Sequence, residues 1–125
     1  MSKKEIKEYD DRGNRIYYKR GEVERWGEYD ENNNLIHHKS ITGSESWYKY
    51  DKNNNKIYQK GDDGDEFWYK YDENNREIYY KSSDGLELWF KYNKNGERID
   101  ITKEKLRQRA YLNNKKINRF EIMDI

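Results

Sequence analysis

His37 and His38 are the only imidazoles in the 125-residue chain, and side chains of this type could ligate a metal or act as general bases. Neighbours on a strand face opposite ways, so the two cannot converge on one ion, and the sequence marks no second ligand or orienting partner. A structural role is expected for both. Asp30 to Asn34, Asp51 to Asn55 and Asp72 to Arg76 have the composition of the opening of a calcium loop. The sixth position, where that loop needs glycine, holds Leu35, Lys56 or Glu77, and no glutamate follows at the twelfth. Turn formation accounts for these residues instead. Asp62, Asp63, Asp65 and Glu66 make the densest acidic cluster, a hairpin tip that a basic partner could contact. No nucleophile elbow, phosphate loop or isolated carboxylate pair stands out, and Glu45, Glu66 and Glu87 recur by period. A catalytic site should interrupt a repeat in one unit, and none is evident before residue 102. The chain is therefore read as non-enzymatic, with no metal or other cofactor.

What recurs is an aromatic unit of about 21 residues. Trp26, Trp47, Trp68 and Trp89 each precede a tyrosine by three (Tyr29, Tyr50, Tyr71, Tyr92), and each tyrosine precedes an isoleucine by seven (Ile36, Ile57, Ile78, Ile99). Tyr9 and Ile16 open the series. Such units bury their faces against their neighbours, so the period outranks local propensity.

Apolar residues make up 32% of the chain and charged residues 41%, a balance that ordinarily signals disorder. Thirteen Tyr, four Trp and three Phe at regular spacing supply the missing apolar area, helped by the aliphatic stems of Lys and Arg. Cysteine is absent, which removes disulfide and thiolate chemistry, and proline is absent, as suits a chain whose N–H groups serve ladders. Residues 1–20 carry seven basic against four acidic groups, 21–100 twelve against eighteen, and 101–125 seven against three. The acidic repeat body disfavours nucleic acid and suits a basic partner. No secretion signal or membrane run is visible, so a cytoplasmic protein is expected.

Each unit reads as two short strands, such as Glu45 to Asp51 and Ile57 to Lys60. Between them lies a loop whose fourth position is always glycine or asparagine: Gly13, Asn33, Asn54, Asn75, Gly96. These residues tolerate positive φ, as a three-residue hairpin loop requires after its type I turn. The return connections carry Thr42-Gly43, Asp63-Gly64 and Asp84-Gly85, read as two-residue loops, with a shorter Gly21-Glu22-Val23 in the first unit. Those loops pair Trp47 with Gln59, Trp68 with Tyr80 and Trp89 with Ile101, and His38 and Gln59 with the following Trp47 and Trp68. The fold expected over residues 1–101 is mainly β, an antiparallel hairpin meander of about ten strands in a single curled sheet. Tyr48, Tyr69, Tyr79 and Phe90 fall on the face away from the tryptophans and, with the acidic tip, are the candidate partner-binding residues. Thr102 to Leu112 reads as a helix capped by Thr102 and ended by Asn113-Asn114, with a weak strand pattern over 117–125; the whole of 102–125 would be a helical cap with a possible edge strand.

The motif Tyr-Asp-x-x-Asn/Gly-x-x-Ile at Tyr9 to Ile16, Tyr29 to Ile36, Tyr50 to Ile57 and Tyr71 to Ile78 resembles the YD repeat of Rhs-type proteins, with Asn93 departing in the fifth copy. A small chain of such hairpins is similar to the immunity proteins of polymorphic bacterial toxin systems, including those of contact-dependent growth inhibition. It is also similar to MORN-repeat antitoxins. The resemblance covers about residues 6–101 and specifies hairpins rather than a site. It implies a monomer or 1:1 complex that binds and neutralises a cognate toxin, a basic nuclease domain suiting the acidic body, without membrane or nucleic-acid partners. The Trp-Tyr hairpins also resemble choline- and glucan-binding cell-wall repeats, which makes carbohydrate the alternative ligand.

Overall fold

The computed structural model describes residues 3–123. The fold is mainly β, ten antiparallel strands in chain order followed by one helix. It falls into two compact units, residues 1–86 and 87–125. The first holds β1 (Glu5–Tyr9), β2 (Arg15–Arg20), β3 (Val23–Tyr29), β4 (Leu35–Ser40), β5 (Glu45–Tyr50), β6 (Lys56–Lys60), β7 (Glu66–Tyr71) and β8 (Glu77–Ser82), each paired antiparallel to the next. The second holds β9 (Glu87–Tyr92), β10 (Arg98–Asp100) and α1 (Thr102–Met123).

The first loop of every unit is built as its composition demands. The side chain of Asp51 accepts the N–H groups of Asn53 and Asn55, each at 2.9 Å, and Asn54 stands in the left-handed region at φ 65°. Asp10, Asp30, Asp72 and Asn93 make the same pair of bonds in their loops. The amides do more than turn the chain. Asn14 donates from Nδ2 to Asn33, Asn34 to Asn54, and Asn55 to Asn75, at 2.8–2.9 Å, so consecutive hairpin tips are tied in a row. The motif tyrosine links hairpins too: the Tyr50 hydroxyl donates to the Leu35 carbonyl and that of Tyr71 to the Lys56 carbonyl.

The pairings differ from the expected ones by one residue, for two reasons. First, a β-bulge lies just beyond the loop. Tyr50 sits opposite Lys56, in the expected register, but Lys49 sits opposite Tyr58, leaving Ile57 without a partner across the ladder. Ile16, Ile36 and Ile78 occupy the same bulge in their hairpins. Trp47 therefore faces Lys60 instead of Gln59, and Trp68 faces Lys81 instead of Tyr80. The fifth hairpin has no bulge, and there Ile101 bonds to Trp89 as the loop predicts. Second, the return loops are not two-residue turns. Such a turn with Thr42 and Gly43 at its centre would need positive φ at Thr42, its first central residue, whereas only Gly43 has it. The Ser40 N–H bonds to the Ser44 carbonyl, and Gly43 bonds back to Ser40, which makes a three-residue loop like the others. Gly61 to Asp65 and Ser82 to Leu86 repeat it. His37, not His38, thus stands opposite Trp47, and Tyr58 opposite Trp68. Gly21-Glu22, flanked by the paired Arg20 and Val23, is the one true two-residue turn among the described residues.

Helix α1 also departs from expectation. The cap is Asp100, whose carboxylate accepts the Thr102 N–H at 2.9 Å, while the Thr102 hydroxyl accepts the Trp89 N–H at 3.0 Å. The helix does not stop at Asn113-Asn114, and no strand forms over 117–123; residues 124 and 125 lie outside the described ones. Two asparagines cost only about 0.7 kcal/mol each in a helix, and neither glycine nor proline comes after them to end it. The contacts of α1 are with β9, where Arg109 forms a fork on Glu87 at 2.7 and 3.0 Å and lies over the Trp89 ring.

Two measurements check the loop account. Asn54→Ala should cost about 1–2 kcal/mol in urea unfolding from the left-handed strain alone, while Asn54→Gly relieves the strain and loses only the bond from Asn34. The carboxyls of Asp10, Asp30, Asp51 and Asp72 are held below their ordinary value, first by the backbone N–H bonds. Their stabilisation is complete above the unfolded value of 3.8 and drains away as pH falls through the lower folded values. Asp51→Asn should keep the turn, as Asn93 does, and reduce the acid sensitivity seen in thermal melts.

Candidate functional site

Cross-strand partners share a face, so the pairings sort the side chains of the first unit into two surfaces. One carries a ladder that repeats with the chain. Its tryptophans, Trp26, Trp47 and Trp68, each face Tyr17, His37 or Tyr58 on the preceding strand and Lys39, Lys60 or Lys81 on the following one. The Tyr17 hydroxyl donates to Glu24, and that of Tyr58 to Glu66 at 2.6 Å. The Glu24 bond pushes the Tyr17 phenol up to about 12. The Lys60 ammonium lies 5.7 Å from the Trp47 ring and the Lys81 ammonium 5.8 Å from Trp68.

His37 takes the tyrosine position in this ladder. It stacks on Trp47 at 5.4 Å and 19°, with Nε2 2.9 Å from Glu45 and Nδ1 3.4 Å from Glu28. No orienting partner is expected for it from the sequence, yet two carboxylates flank it; the signal was its equivalence to Tyr58 and Tyr79, which follow it at intervals of 21 residues. Among the described residues no group of three or more His, Cys, Asp or Glu side chains is placed to hold a metal ion.

The other surface carries Tyr48 and Tyr69, half-buried and covered by the single ammonium of Lys56 at 5.8 and 5.3 Å, and Tyr80, which meets Phe67 and Tyr69. Tyr79 is not with them. It pairs with Lys70 and so belongs to the tryptophan side, because the bulge moves it across. Phe90, in the second unit, is 8% exposed with the Arg98 guanidinium 4.4 Å from its ring centre. The candidate tyrosine set is therefore split, and Tyr48 and Tyr69 are the two it keeps together.

The acidic tip is a three-residue return loop, Gly61 to Asp65. Asp62, Asp63 and Asp65 are exposed, and among the described residues no cation lies within ion-pair distance of them. The Asp65 carboxyl is raised, chiefly by the charge of Asp63, with Asp84 of the next return loop contributing. Glu66 is engaged elsewhere: it accepts from Tyr58, and its backbone exchanges bonds with Ser83.

These features define an antiparallel β-hairpin repeat protein. No protein-family model matches the sequence, and no curated protein matches it.

The ladder position of His37 has a measurable consequence. Its pKa is raised, first by the bond to Glu45, so its stabilisation is full below the unfolded value of 6.5 and is lost as pH rises through the folded value. Thermal stability should fall over that window, with a matching change in tryptophan emission, and His37→Tyr should flatten both.

Proposed function

We propose that this chain is a binding protein, an immunity protein that neutralises a cognate bacterial toxin domain by covering its active site. The observation that carries the reading is the acidic tip. Asp62, Asp63 and Asp65 hold like charges together with no cation at ion-pair distance among the described residues, and the charge of Asp63 raises the Asp65 carboxyl. A basic surface would relieve it, and the active site of a nuclease is basic because it must hold phosphate. The YD-type hairpins supply the second support, through their likeness to immunity proteins. In this reading the tip steers the encounter, and Tyr48 and Tyr69 on the adjoining surface supply aromatic contact area.

Co-expression with the product of a neighbouring toxin gene tests the proposal. A stable complex and protection of the cells are expected; neither appearing with any adjacent product would overturn it. Replacing Asp62, Asp63 and Asp65 with lysine should leave the fold intact, slow association about tenfold or more at low salt and flatten its salt dependence. Stopped-flow mixing at several ionic strengths reads both. Affinity should also decline as pH falls through the raised Asp65 carboxyl.

A further inference from the structure

One position in the first unit departs from the aromatic pattern. The residue after tryptophan is Tyr48, Tyr69 or Phe90 in three units and Gly27 in the other. Where the ring of that residue would stand there is a cavity of about 190 Å³, lined by Gly27 with Arg15, Tyr18, Arg25, Leu35 and His38 among others. No carboxylate lines it.

The surroundings are those of an aromatic ring that is missing. Lys56, the residue that leaves the loop of one hairpin, covers Tyr69 on the next hairpin at 5.3 Å. Arg15 is the equivalent residue for Gly27. With no ring to cover, its guanidinium lies 4.8 Å from the Tyr18 ring centre, and Arg25 lies 5.3 Å from the same ring. Among the described residues neither guanidinium has a carboxylate within ion-pair distance. Two cations thus converge beside a ring-sized gap in a repeat body that is otherwise acidic. Gly27 itself is not required by the backbone: its φ lies outside the left-handed region, and the atoms nearest an added Cβ would be the Arg15 carbonyl and a Leu35 methyl at 3.4 Å and the Tyr29 ring at 3.5 Å.

We propose that this cavity is a binding site for a small aromatic carboxylate, the ring entering the slot left by Gly27 and the carboxylate meeting Arg15 and Arg25. The ring gains the contacts that Tyr48 and Tyr69 make within their own units, and planar guanidinium groups suit a carboxylate in a two-pronged contact. The site holds whether or not the chain inhibits a toxin.

The test titrates 4-hydroxyphenylacetate into the full chain and follows backbone amide shifts by NMR. Saturable shifts centred on Gly27 and His38 are expected, with p-cresol and acetate, which each lack one half of the ligand, binding at least about tenfold more weakly. Gly27→Tyr restores the residue found in the other units, so it should fold and abolish binding. Arg25→Gln, which leaves the slot open, should weaken it about tenfold. The absence of saturable shifts, equal binding of p-cresol or acetate, or undiminished binding by Gly27→Tyr or by Arg25→Gln would each overturn the proposal.

Discussion

The left-handed residue at the fourth place of each loop is the constraint on which the rest of the first unit depends. Asn33, Asn54 and Asn75 accept that conformation because the cost to the backbone is offset locally, by an aspartate that receives two N–H groups and by an amide bond from the neighbouring tip. In the four hairpins of this unit the exiting strand then passes through a bulge, which the fifth hairpin, with Gly96 left-handed in the same kind of loop, lacks. In those four the strand begins one residue out of step, the isoleucine is left in a bulge, and every later side chain in it changes its partner. The pairing of tryptophan with lysine on the following strand is thus a product of that bulge.

Given that register, the sheet is held without a dry core. Among the described residues only Phe90 and Ser82 are buried, and Trp26 and Trp47 remain 39% and 37% exposed. Stability comes instead from contacts between successive strands: rings against rings, ammonium stems across rings, phenols on carboxylates and on the carbonyl of the preceding hairpin. Each of these reaches only the adjacent hairpin. The energetics of the first unit are therefore close to a sum of neighbour terms, and a change in one hairpin is felt mainly by the next.

Such a framework makes departures from the repeat more informative than the repeated residues. Tyrosine at the position of His37 would be silent between pH 5 and 8, whereas histidine places a titrating ring between two carboxylates. Gly27 removes a ring and leaves two guanidinium groups around the gap. The return loop at Asp62–Asp65 gathers charge beyond what the turn uses: Asp63 accepts the Asp65 N–H as Asp84 accepts that of Leu86, but Asp62 and Asp65 stand where Ser83 and Leu86 do in the next loop. All three departures sit on a scaffold that would form without them.

The sequence by itself determined the hairpin meander, its strand count and the position of every left-handed loop residue, because a 21-residue period and the glycine or asparagine requirement are local facts. It also located the acidic tip. The helix start was legible to within its cap, which fell to Asp100 because Thr102 was needed by the Trp89 N–H. Tertiary structure decided the rest. Whether a loop of this composition leads into a bulge depends on how the two strands pair, and the difference of one residue turns over a whole row of side chains. That is why Tyr79 left the tyrosine set, why His37 and not His38 met Trp47, and why a glycine after Trp26 became a cavity. A residue's type states what it can contact; only the register, fixed by pairing along the full length of two strands, states what stands opposite.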